Sequence, residues 1–226
     1  MPSDEKLVVA FAGPTFVNSW TLPLYMGGAV MRHPNFRLMA LPRIGSGSLA
    51  TSVQQYADFV RREVGPHRPY VAAGQSQGGV VAALHALTDP WAQHVVMLDA
   101  PLHGAWLSLL LLAFPAAREL MPGSRSLEDL RERILEQSHR FTSIFCPQEQ
   151  VMDPESAYLP GITNILVGSA PQLEQFGLDH PGVESSETVE SSHPVTHTSA
   201  MRNPDFRGAL WRTVRSQVDT LELAII

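Results

Sequence analysis

The chain has 226 residues, 44% of them hydrophobic and 17% charged, which allows one large domain with a sizeable core and excludes disorder as the main state. Sixteen Lys and Arg stand against 22 Asp and Glu, a formal charge of −6 that argues against nucleic acid as a partner. The single cysteine, Cys146, excludes an internal disulfide framework and a Cys-based zinc cluster.

The chain starts MPSDEKLVVAFAGPTF, with acids and no basic region ahead of a short apolar run, so a cytoplasmic protein is expected. Lys6–Ala12 reads as a buried strand, and Phe36–Leu41 as a second. Leu49–Val64 has helical spacing, with Val53, Tyr56, Ala57, Val60 and Val64 on one face. Tyr70–Ala73 opens a third strand, Gln77–Leu87 reads as a buried helix, and His94–Leu98 is a fourth strand. Phe141–Phe145 and Ile162–Val167 are a fifth and sixth, and Pro204–Leu221 is an amphipathic helix. Apolar strands alternating with helices predict an α/β domain, its mostly parallel sheet covered on both faces.

Two stretches stand outside that alternation. Residues 101–140 are too long for a plain crossover and are expected to form a small helical cap inserted in a single domain spanning 1–226. Its apolar part, AWLSLLLLAF, is about half a bilayer crossing, so no stable membrane span is expected. Residues 169–195 are rich in Ser, Glu and His and lack periodicity, and are expected to be a long loop near a site.

The informative motif is Gly74-Gln75-Ser76-Gln77-Gly78, a G-x-S-x-G between an expected strand and an expected helix. Such a turn holds a serine hydroxyl at the carboxyl end of a sheet and needs small residues two positions to either side. A bare G-x-S-x-G is common; one with strand and helix flanks is much less so. The N–H of Gln77 then points where an oxyanion would form. The second oxyanion donor should come from the loop after the first strand; Pro14 has no N–H, which leaves Thr15 or Phe16.

A serine nucleophile needs a base, itself oriented by an acid, in the chain order Ser, Asp or Glu, His. His197, in THTSAMRNPDF just before the last helix, is the expected base, with His193 as the alternative. His180 reads as a solvated loop residue. Glu149 and Asp153 both follow the fifth strand and either could serve as the acid. Asp99, closing the fourth strand in MLDAP, is a third candidate.

These residues resemble the α/β-hydrolases, in particular the compact bacterial triacylglycerol lipases and esterases typical of actinomycetes. Where those enzymes read HGTF-x-N and then Trp, this chain reads AGPTFVNSW, with Ala12-Gly13 for His-Gly and an extra Pro14. Their GHSQGG is here GQSQGG, Gly74–Gly79. The Pro-then-Gly after the next strand is Pro101-Leu102-His103-Gly104, and the Met-x-Pro-Gly-Ser cap motif corresponds to Met121-Pro122-Gly123-Ser124. The D-x-x-V-x-P acid loop corresponds to Glu149-Gln150-Val151-Met152-Asp153-Pro154. The resemblance implies Glu149 as the acid and supports His197 as the base.

The expected function is a serine hydrolase that acts through an acyl-serine on an apolar ester, thioester or lactone. Two alternatives are a biosynthetic acyl transferase or cyclase with the same triad, and a non-catalytic binding protein. No metal or cofactor is required by that chemistry. Trp20, Trp106, Leu109 and Leu110 are candidate pocket residues; packing on the sheet edge or a homodimer interface is the competing use of the apolar segment.

Overall fold

The computed structural model describes residues 7–13, 36–41, 47–148 and 152–223. Strands β1 (Leu7–Ala12) and β2 (Phe36–Leu41) are followed by helix α1 (Leu49–Glu63). Next come β3 (Tyr70–Gln75), α2 (Gln77–Ala86) and β4 (Ala92–Leu98). A 3-10 turn (Trp106–Leu111) then leads to the short α3 (Pro115–Glu119) and to α4 (Arg125–Glu136). The chain continues through β5 (Phe141–Phe145), β6 (Thr163–Gly168), α5 (Ala170–Asp179), β7 (Glu187–Glu190) and α6 (Pro204–Leu223).

These strands form one sheet in the order β2-β1-β3-β4-β5-β6-β7, and every adjacent pair is parallel. Alternation along the strands sorts their side chains into two faces. Val8, Ala10, Tyr70, Ala72, Val95 and Met97 pack with residues of α1, α2 and α4. Their neighbours Val9, Phe11, Val71, Ala73, Val96 and Leu98 pack against Phe206, Leu210 and Val214 of α6. A sheet buried on both faces cannot show polar alternation, which is why β1 and β3 read as continuous apolar runs.

Helix α2 is buried almost all round, from Gln77 to Ala83 and again at His85 and Ala86. Helix α1 shows one apolar face, and Ser48 caps it by accepting the N–H of Thr51 at 3.1 Å. On its inner side the Tyr56 hydroxyl donates to the Ala10 carbonyl at 2.7 Å, tying the helix to β1.

The structure divides the segment 101–140. Leu127, Leu130 and Ile134 of α4 lie in the same apolar cluster as Val95, Met97 and Phe141, so α4 covers the sheet as a crossover helix does. Each such buried side chain stabilises the fold by about 2 kcal/mol relative to exposure. The 3-10 turn before it differs, since Leu109 and Leu110 are exposed.

One expectation is corrected. Residues 169–195 are not an irregular loop but contain α5 and β7. The signal was weak because α5 buries only Phe176 and β7, reading ETVE, is an edge strand with no fully buried residue. A reciprocal cap between Ser169 and Gln172 starts α5 instead. Among the described residues no helix is long and apolar enough to cross a membrane.

Candidate active site

β1 lies between β2 and β3, so the chain leaves β1 to one side and later returns on the other. In an open parallel sheet the crevice outside the carboxyl ends at such a reversal is where ligands bind. Gly13 follows β1 there and Ser76 follows β3.

Ser76 has φ 55 and ψ −128, in the left-handed half of backbone space where residues other than glycine are strained. Its N–H donates to the Leu98 carbonyl at 2.8 Å, which continues the β3–β4 ladder one residue past Gln75. The chain then turns straight into α2. A Cβ on Gly74 would run into the backbone of Gly78, and one on Gly78 into the Ala12 carbonyl. The two glycines are therefore what lets the turn close, and the strand–serine–helix elbow expected from the motif is formed.

His197 is buried. The Gln75 side-chain amide donates to the His197 carbonyl at 3.0 Å, so the residue before the serine holds the backbone of the histidine. On the preceding side Gln172 clasps Val195, accepting its N–H and donating to its carbonyl, both at 2.8 Å. Thr196 bridges Gln148 in parallel pairing, and its carbonyl accepts the N–H of Ala200 at 2.7 Å. Burial pushes the imidazole pKa below its ordinary value, and the Asp99 carboxylate pulls it back up. At neutral pH such an imidazole is uncharged and able to take a proton.

Asp99 follows the last residue of β4, is fully buried and has φ 44. Its N–H donates to the Ile144 carbonyl at 2.9 Å, and its Oδ1 accepts the N–H of Cys146 at 2.9 Å. Cys146 is buried, and its Sγ meets the Gln148 carbonyl at 3.6 Å.

The structure thus places Ser76, Gln77 and Asp99 at the carboxyl ends of β3 and β4 and ties the backbone of His197 to the same edge through Gln75. His193 and Asp153 make local contacts of their own. The His193 side chain is exposed and meets the Ser192 hydroxyl at 3.0 Å. Asp153 caps a 3-10 turn (Pro154–Ala157), accepting the N–H of Glu155 at 3.1 Å. Glu149, Thr15, Phe16 and Trp20 lie outside the described residues. His180 is not simply solvated, since its Nδ1 meets Glu155 at 2.7 Å. The donor atoms of Asp153, Glu155 and His180 all lie within 4.8 Å of one another and could share a metal ion, although both carboxylates are exposed.

Those two carboxylates, with His103, Trp106, Pro122 and Tyr158, line a cavity of about 720 Å³. Of the candidate pocket residues only Trp106 borders it; Leu109 and Leu110 do not, and Leu110 is 73% exposed. Two clamps went unread in the sequence. Gln75 registered only as a departure from the usual His, and Gln172 not at all, because side chain to backbone bonds across 122 and 23 residues leave no local pattern.

No family model and no curated protein matches the chain in sequence. Solved structures do match in shape. The mature form of the lipase BlEst2 from Bacillus licheniformis aligns with a TM-score of 0.60 at 10% identity, over 95% of this chain and 93% of that one. A structure reported for LipS and LipT, two metagenome-derived lipolytic enzymes, aligns with a TM-score of 0.60 at 13% identity, over 95% and 97%. The monoacylglycerol lipase of Paleococcus ferrophilus aligns with a TM-score of 0.50 at 15% identity, over 92% and 91%. At such identities the likeness speaks to architecture, and together with the all-parallel sheet it establishes that this chain has the α/β-hydrolase fold.

Proposed function

We propose that the protein is a serine hydrolase that cleaves apolar esters through an acyl-serine intermediate. The observation that carries this reading is the strained Ser76 at φ 55, at the carboxyl edge of the sheet, with the buried His197 tied to the adjacent Gln75. Strain of this kind costs about 1–3 kcal/mol and persists where the surrounding structure holds it in place.

In this reading the Ser76 hydroxyl attacks the ester carbonyl while His197 takes its proton. The negative charge that develops on the carbonyl oxygen is met by the N–H of Gln77 and by that of Thr15 or Phe16. Each donor is worth about 3 kcal/mol of barrier. His197 then gives the proton to the departing alkoxide, which leaves as an alcohol. Water, deprotonated by the same imidazole, releases the acid and restores the serine. The imidazolium formed along the way needs a carboxylate beside it. The preference for apolar substrates rests on the apolar segment that leaves Trp106, Leu109, Leu110 and Phe114 exposed. The fold relatives named above are lipases and lipolytic enzymes, in keeping with this chemistry.

A fluorophosphonate probe tests the reading directly. It should form a covalent adduct on Ser76 in the wild type and none in Ser76→Ala, and kcat on p-nitrophenyl butyrate should fall by at least about 10⁴-fold in that variant. Hydrolysis in ¹⁸O-water should place label in the released acid. A wild type that takes no adduct would refute the proposal, and an unlabelled product would point to transfer or cyclisation.

A further inference from the structure

We infer that Asp99, at the end of β4, is the carboxylate that orients and charge-balances His197, rather than Glu149 from the loop after β5. The inference rests on the reading of Ser76 and His197 as nucleophile and base, and it makes Asp99 a positioning residue.

The first argument is register. Gln75 of β3 pairs with Leu98 of β4, and the Ser76 N–H is bonded to the Leu98 carbonyl. Asp99 is therefore the lateral neighbour of Ser76, one strand over on the same edge of the sheet. The same Gln75 holds the backbone of His197, so all three residues converge on the end of one strand pair.

The second argument is backbone conformation. Among the described residues the non-glycine positions of positive φ are His67, Ser76 and Asp99. Two of them end adjacent strands side by side. Asp tolerates the left-handed region better than most residues. The Cys146 N–H holds Oδ1 of Asp99, bridging the ends of β4 and β5.

The third argument is burial. A fully buried carboxylate calls for a positive partner to balance its charge. His197 supplies the balance when it becomes protonated. Asp99 is a charged group that acts on that imidazole; β3 offers it the neutral Gln75, and Gln148, which pairs with Thr196, is also neutral. Because Gln148 precedes Glu149 directly, Glu149 is the competitor that an experiment must separate.

The test compares pH profiles of kcat/KM on p-nitrophenyl butyrate for the wild type, Asp99→Asn and Glu149→Gln. Asn keeps both the left-handed backbone and an acceptor for the Cys146 N–H, so the variant should fold. Removing the charge lowers the imidazole pKa further. Asp99→Asn is therefore expected to lose about 10³-fold in kcat with KM within about threefold, and its acid limb should move down by about one pH unit or more. Glu149→Gln should lose at least about tenfold less, with its acid limb at the wild-type pH. An acid limb that moves in Glu149→Gln as far as in Asp99→Asn, or further, overturns the assignment. If Asp99→Asn fails to fold, Glu149→Gln alone decides: an unmoved limb supports Asp99 and a moved limb refutes it. A wild type lacking the Ser76 adduct defeats the functional reading itself. An adduct together with a near-wild-type Asp99→Asn defeats only the role of Asp99.

Discussion

Strand β4 has a buried imidazole at each end, and the two are held differently. At the amino end His94 is buried, its Nε2 2.9 Å from the Thr142 hydroxyl. Burial, with the positive charges of Arg140 and His139 behind it, pushes its pKa down to about 4. Arg140 in turn donates to the carbonyls of Ala86, Asp89 and Ala92, and the Tyr70 hydroxyl donates to Asp89 at 2.9 Å. At the carboxyl end His197 is equally dry but feels a carboxylate instead of cations. Burial alone therefore does not mark a catalytic base. The sign of the neighbouring charge separates an imidazole locked neutral from one able to accept a proton and be stabilised by it.

The comparison can be broken first at the amino end. The folded pKa of His94 is about 4 against an ordinary 6.5. Between these values the unfolded chain binds more protons, so stability falls as pH drops from 6.5 to 4 and is flat on either side. The gap corresponds to about 3 kcal/mol. His94→Gln should remove that slope in urea unfolding measured at pH 7 and pH 4.5 while leaving the esterase acid limb unmoved. A variant that keeps the wild-type pH slope would show that His94 does not carry it.

At the carboxyl end, Gln75→Ala should lower kcat by about 10- to 100-fold with little change in KM under the proposed function, because the loop carrying His197 loses its tether beside Ser76. An unchanged kcat would mean that Gln172 and the Thr196 turn hold the histidine without it. The smallest effect concerns strain. Ser76→Gly should gain about 1 kcal/mol of stability over Ser76→Ala, since only glycine adopts φ 55 at no steric cost. Equal melting temperatures for the two variants would remove strain from the account.

Much of this contrast was legible in one dimension. The runs LVVAFA and HVVML announced buried strands because both faces of the sheet are covered, and the glycines around Ser76 announced the elbow because no other residue fits against the end of β1. His197 was nominated from its place before α6, and the structure buries it with its backbone tied to Gln75. Asp99 ranked third among the acids because chain order favours the loop after β5, whereas its neighbourhood with Ser76 exists only through the β3–β4 register. The polar edge strand β7 escaped because ETVE lacks the apolar alternation that marks a half-buried strand.

The near-complete burial of α2 has a kinetic consequence. A helix with apolar surface on every side has no independent existence in water, so the turn that presents Ser76 exists only while the central sheet is intact. Amide hydrogens of Val80–Ala86 should exchange only by opening of the whole fold, while those of β7 exchange through local fraying of the edge. Heating or protease should therefore erode the β7 edge well before the turn around Ser76 is lost, and any activity that depends on it should decay in one late step.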